Sequence, residues 1–178
     1  ERAAIVLSTT IERYYGAMND QLGVRKTRLE AARCYINIPG KEGTAATVYE
    51  DVVKEYESSV SETQSPAEGW LTPDLASYYA SAYLGLGLAA AAQKGGDAEA
   101  LQHFSKSLAL FSTDRETRAE AALNAGLATV RIAEKNKKDA AFYYLSAQSY
   151  HIELTVNLND TTAFRRAAEL ADALARIK

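Results

Sequence analysis

Residues 82–111 read AYLGLGLAAAAQKGGDAEALQHFSKSLALF, and residues 121–150 read AALNAGLATVRIAEKNKKDAAFYYLSAQSY. The second stretch repeats the pattern of the first about 40 residues later. The matched pairs, with offsets of 39, 40, 40 and 40, are Gly87 with Gly126, Ala100 with Ala140, Phe104 with Tyr144, and Ser107 with Ala147. A period in this range indicates helical hairpins that bury their apolar faces against one another. Such stacks are typically surfaces that hold other molecules.

The composition is that of an ordinary soluble globular protein. The chain has 178 residues, of which 47% are hydrophobic and 24% charged, with 3 Pro and 10 Gly. The net charge of −3 gives no electrostatic basis for nucleic-acid binding. No apolar run is long enough for a transmembrane helix. The single Cys34 cannot form an internal disulfide, and we expect it to be a small buried side chain.

These features favour a cytoplasmic protein. The first residue is Glu1, so an excised domain or a processed form remains open.

Periodicity of 3.6 residues predicts an all-α fold with eight helices and no strand. Their approximate bounds are 2–19, 25–38, 44–59, 73–94, 97–112, 114–134, a seventh from the 135–138 turn to about 157, and 161–177. We expect Gly23 to break the chain between the first two helices. The expected N-caps are Thr72, Asp97, Asp114 and the pair Asn159-Asp160, because such side chains accept hydrogen bonds from the first turn.

The helices predict one continuous domain in three parts. Residues 1–60 form N-terminal helices, 61–72 a polar connection containing Pro66 and Gly69, and 73–178 two repeats plus a polar capping helix. Because short connections make successive helices antiparallel neighbours, the second half is expected to stack. A plain helical bundle without true repeats is the alternative.

The repeated positions resemble the tetratricopeptide repeat, in its longer variant of roughly 40 residues. The first repeat carries Gly87, Ala100, Phe104 and Leu108, and the second carries Gly126, Ala140, Tyr144 and Ala147. The resemblance covers about residues 77–178. Residues 29–56 match more weakly, as a degenerate repeat at most, and both good repeats lack the proline that often closes the motif.

The resemblance implies a right-handed α-solenoid of antiparallel hairpins. Its concave groove would be lined by the first helix of each pair and would hold a peptide or a helix of a partner protein. The implied groove positions are the exposed ones of residues 78–93, 119–133 and 162–175.

The family's clamp for chaperone C-terminal tails is mostly missing. Its first-repeat positions hold Leu84 and Leu88, and Thr161 replaces a Lys, whereas Asn124 and Arg165 match. A chaperone tail is therefore not the expected ligand.

Five residues are candidates for partner binding. Tyr79 and Tyr83 lie four residues apart on a first helix, and Tyr is favoured at interfaces; packing between helices is the alternative. Asn124 can bind the backbone of an extended ligand and Arg165 a carboxylate, unless both are simply solvated. Trp70, in the polar connection, either closes the core or is an exposed anchor.

No pattern predicts an enzyme. His103 and His151 belong to no metal-binding motif, and no phosphate-binding or nucleophile motif occurs, so we expect no cofactor, no metal and no catalysis.

Three functions then compete. The first is a protein-interaction scaffold whose partner is unidentified. The second is a regulatory or sensor domain of a larger signalling or transcription protein. The third is a structural subunit that associates with itself, which the polar closing helix disfavours.

Overall fold

The computed structural model describes residues 2–62, 71–110 and 114–177, and the regular structure within these ranges is entirely helical. The α-helices are α1 (Arg2–Ala17), α2 (Gln21–Ile36), α3 (Glu42–Glu62), α4 (Pro73–Ala91), α5 (Asp97–Ala109), α6 (Arg115–Lys135), α7 (Ala140–Ile152) and α8 (Thr161–Leu174). A 3₁₀ turn (Lys137–Asp139) precedes α7, and a π-helical turn (Glu153–Leu158) follows it. The predicted all-α class is confirmed.

The chain divides into two compact units, Glu1–Trp70 and Leu71–Lys178. The boundary lies inside the connection predicted at residues 61–72. None of the described helices combines the length and apolar character needed to cross a membrane.

In the first unit, α2 packs against both α1 and α3. Arg28 of α2 pairs with Glu12 of α1, with 2.6 Å between nitrogen and oxygen. On the other side, Arg25 pairs with Glu55 of α3 at 2.5 Å. The buried Tyr49 hydroxyl of α3 donates to the Leu29 carbonyl at 3.2 Å. A polar contact thus supports each of the two helix pairs.

Two predictions for this unit are wrong. Gly23 lies inside α2 and does not break the chain. The break lies at Asn19, with φ of 56°, and Asp20, whose carboxylate caps α2 by accepting from the Gly23 N–H at 2.9 Å. Gly23 is needed for packing, because a Cβ there would lie 2.5 Å from the Tyr15 ring.

Cys34 is exposed, not buried. The buried residues of α2 are Val24, Thr27, Leu29 and Ala32, and Cys34 lies outside that face.

In the second unit, successive helices run antiparallel. The Ser107 hydroxyl, late in α5, donates to the Ala80 carbonyl, early in α4, at 2.8 Å. Asp97, the first residue of α5, contacts Arg131 near the end of α6. Arg118, early in α6, contacts Glu153 just after α7. Consequently α4 and α6 run parallel. The hydroxyl of Ser81, near the middle of α4, lies 3.3 Å from that of Thr117 in the first turn of α6.

The two matched glycines allow close approach to different partners. A Cβ on Gly87 would lie 2.3 Å from the buried Phe104 ring of α5, the next helix in the chain. A Cβ on Gly126 would lie 2.5 Å from Leu170 of α8, two helices further on. Tyr144, which matches Phe104 in sequence, is 36% exposed. Residues that match in the sequence repeat therefore do not always make the same packing contacts.

Three of the four predicted caps are confirmed. Thr72, Asp114 and Asp160 accept hydrogen bonds from backbone N–H groups in the first turns of α4, α6 and α8. Asp97 does not cap α5; Gly96 holds the N-cap position, and the Asp97 side chain is engaged by α6. A tertiary ion pair has replaced the local hydrogen bond.

Gly87→Ala is expected to destabilise the second unit. The clash with Phe104 costs about 1–3 kcal/mol, which outweighs the gain of about 0.5–1 kcal/mol from replacing a helical glycine. Urea denaturation followed by far-ultraviolet circular dichroism measures the change.

Phe104→Leu is the matched probe, since it shortens the side chain that Gly87 faces. We expect the double variant to lose at least about 0.5 kcal/mol less than the sum of the single variants. Strict additivity would contradict the packing described for this pair.

Candidate groove between helices α6 and α8

Helices α6 and α8 run parallel and are held together at their N-terminal ends. Arg115 Nε lies 3.4 Å from an oxygen of Asp160, the N-cap of α8. Arg166 of α8 pairs with Glu116 of α6. One step further along, Gly126 admits the Leu170 side chain. These contacts fix the spacing of the two helices over their first halves.

Beyond Gly126, the C-terminal halves of α6 and α8 border an open cavity of about 620 Å³. The α6 side is lined by Leu127, Val130, Arg131 and Glu134. The α8 side is lined by Glu169, Asp172, Ala173 and Arg176, the last just after the helix. We call this cavity the α6–α8 groove. Its volume falls in the range of ligand-binding clefts.

The groove has an apolar floor and a charged rim. Val130 and Ala173 are buried and Leu127 is partly buried, so they form the floor. Glu134, Glu169, Asp172 and Arg176 are exposed at the rim. Among the side chains that the structure describes, which do not include that of Lys138, no basic group lies at ion-pair distance from the three rim carboxylates. An aliphatic stem could pack on this floor while a charged end meets the rim.

Arg131 is the one groove residue held by a buried charge. Asp97, 7% exposed, accepts from Arg131 Nε at 2.6 Å and from Lys135 Nζ at 2.5 Å. Burial disfavours the charged carboxylate, but the hydrogen bonds from Lys135 and Arg131 outweigh it and hold the pKa of Asp97 below its ordinary value. This ion pair holds the Arg131 side chain against Asp97, so Arg131 does not neutralise the carboxylates of the rim.

The tyrosines singled out by the sequence do not line the groove. Tyr79 and Tyr83 of α4 are each 3% exposed. The Tyr83 ring stacks on His103 with centroids 6.4 Å apart, and Lys106 Nζ lies 5.3 Å from its centroid. A ligand would reach either ring only after a rearrangement, so their role in binding stays a prediction.

The other three candidates also lie away from the groove lining. Asn124 of α6 is half-buried, and its amide donates to the Glu120 carbonyl of the same helix at 2.9 Å. Arg165 of α8 is exposed. Trp70 lies outside the described residues. Asn124 and Arg165 are on the two helices that form the groove, but nearer the N-terminus of each helix than the cavity.

The residues that line the groove recur in the sequence at the spacing of one helix face, a pattern that the family resemblance did not single out. On α6 they recur at positions 127, 130, 131 and 134, and on α8 at 169, 172, 173 and 176. Steps of three and four mark a single helix face, here mixing apolar and charged residues. Most of these positions lie within the predicted ranges 119–133 and 162–175; Glu134 and Arg176 lie just beyond them.

Comparisons of the chain with models of known protein families, with curated proteins and with solved structures find no match. Among the described residues, His, Cys, Asp and Glu side chains form no group of three that could hold a metal ion.

Asp97→Asn is expected to lower the free energy of unfolding at pH 7 by about 1–2 kcal/mol, because it removes charge-assisted hydrogen bonds from a buried site. The folded pKa of Asp97 is lowered, so its contribution is present above the pKa of the unfolded chain. It is lost as the pH falls below about 4 through the folded pKa.

Urea denaturation between pH 7 and pH 3 tests this dependence. The difference between wild type and Asp97→Asn should shrink as the pH falls. Asp172→Asn, at an exposed carboxylate of the same unit, is the control and should change stability little at any pH. A wild-type advantage over Asp97→Asn that is the same at pH 3 as at pH 7 would contradict the prediction.

Proposed function

We propose that the chain is a non-catalytic protein-interaction scaffold and that the α6–α8 groove binds a segment of a partner protein. The observation that carries the proposal is the cavity of about 620 Å³, in which a buried apolar floor is bordered by charged side chains. Helical hairpin stacks use the surfaces between neighbouring helices in this way.

The architecture of the second unit supports a tetratricopeptide-like solenoid as part of the proposal. Its successive helices are antiparallel, and α6 packs against α4, α5, α7 and α8. The first hairpin follows the family pattern, with Gly87 against Phe104. The second hairpin follows it less closely, because Gly126 faces α8 and Tyr144 is partly exposed.

The charges of the rim indicate the chemistry of the bound segment. Glu134, Glu169 and Asp172 contribute three negative charges, whereas Arg131 is already paired with Asp97. Of the residues that line the groove, only Arg176 offsets them. The partner segment is therefore a peptide with Lys or Arg side chains, whose stems pack on Leu127 and Val130 and whose charged ends meet the carboxylates. A chaperone tail, which ends in carboxylates, does not fit this rim.

Selection from a peptide-display library with the whole chain as bait tests the groove. Peptides rich in Lys or Arg should be enriched. Their affinity should fall at least about tenfold in the double variant Glu169→Arg/Asp172→Arg, because the new guanidinium groups repel the basic side chains that the two carboxylates attract.

The matched control is Glu30→Arg/Asp51→Arg, which makes the same change in net charge at exposed positions of α2 and α3. It should leave affinity within about twofold once long-range attraction is screened by salt. An equal fall in affinity in both double variants, or no enrichment on the wild-type chain, would refute the proposal.

A further inference from the structure

Asp97 lies outside the α6–α8 groove but is bonded to a residue that lines it. It is the first residue of α5 and is buried, and its carboxylate accepts from Arg131 Nε at 2.6 Å. The residues that line the groove belong to α6, to α8 and to the position just after α8, and they include Arg131. The Arg131 side chain is 40% exposed, so packing alone does not fix its position. The place of its guanidinium group therefore depends on its charged partner.

Two cations of α6 share the Asp97 carboxylate. Arg131 binds one of its oxygens, and Lys135 Nζ binds the other at 2.5 Å. The two cations are four residues apart, so their side chains leave α6 on the same side. Lys135 is not among the residues that line the groove, whereas Arg131 is. The same carboxylate thus holds one cation that belongs to the groove and one that does not.

Acidic side chains of the rim lie on both sides of Arg131. Glu134 is three residues further along α6, a spacing at which side chains on a helix meet. Asp172 lines the facing side of the groove on α8. An Arg131 side chain released from Asp97 would gain charge-assisted hydrogen bonds by pairing with either carboxylate. Each such pair would neutralise one of the three negative charges that a basic segment meets at the rim.

We propose that Asp97 is a positioning residue that sets the charge preference of the α6–α8 groove from outside it. By holding the Arg131 guanidinium group, Asp97 leaves the rim carboxylates to meet the Lys and Arg side chains of the bound segment. This inference rests on the proposed function, because it concerns the same groove and the same basic ligand. It adds that a contact between α5 and α6, and not only the residues that line the groove, determines which segments bind.

A double-mutant cycle on the whole chain tests the positioning role. The probe is a short oligolysine peptide with blocked ends and a fluorescent label. Its dissociation constant is measured by fluorescence anisotropy, at a salt concentration that screens long-range attraction. Asp97→Ala should raise this constant at least about tenfold, because Arg131 then neutralises the rim. In an Arg131→Gln background the same substitution should change it less than about twofold, because no guanidinium group remains to move.

Lys135→Gln is the matched background, because Lys135 binds the same carboxylate but does not line the groove. In this background Asp97→Ala should still raise the dissociation constant at least about tenfold. Asp97→Asn, which keeps the shape of the side chain, is the second variant and should show the same dependence on Arg131. The proposal is overturned if, for both substitutions at Asp97, the effect is equal in all three backgrounds or disappears with Lys135→Gln as it does with Arg131→Gln.

The same peptide distinguishes failure of this inference from failure of the proposed function. If the wild-type chain does not bind the peptide, or if Glu169→Arg/Asp172→Arg binds it as tightly as the wild type, the proposed function is wrong and the role of Asp97 falls with it. If both chains behave as proposed but Asp97→Ala has the same effect with and without Arg131, only the positioning role of Asp97 is wrong.

Discussion

Small side chains on helix α6 are the constraint on which the second unit depends. This helix packs against α4, α5, α7 and α8, so little of its circumference is left for large residues. Ala119, Ala121, Ala122, Ala125, Gly126, Ala128 and Ala133 are all buried along it. Because helix axes approach only as closely as the side chains between them allow, these residues set the spacing of every neighbour. The groove opens where that row of contacts to α8 ends, after Gly126 and Leu170.

Helix α6 also supplies the cations that hold its neighbours. Lys135 and Arg131 bind Asp97 of α5, Arg118 binds Glu153 after α7, and Arg115 binds Asp160 before α8. The pKa of each acid is lowered. For Glu153, burial opposes the charged form, and hydrogen bonds from Asn157 and Arg118 outweigh it. For Asp160, the Ala163 N–H is the main cause. All three contributions are present near neutral pH and are lost in acid, so the attachments of α6 weaken together as the pH falls.

Local chemistry explains what the sequence could predict. The eight helices and the caps at Thr72, Asp114 and Asp160 depend on residues a few positions apart, and their signals are visible in the chain. The predictions that were wrong concern contacts between residues far apart in the chain. Asp97 was expected to cap α5, but Arg131 lies 34 residues away and binds its carboxylate. Gly126 resembles Gly87, yet its partner Leu170 lies on a helix that the repeat pattern did not place against it. Periodicity predicted the two helices that form the groove. The spacing of Tyr79 and Tyr83 on α4 did not show that both side chains are buried.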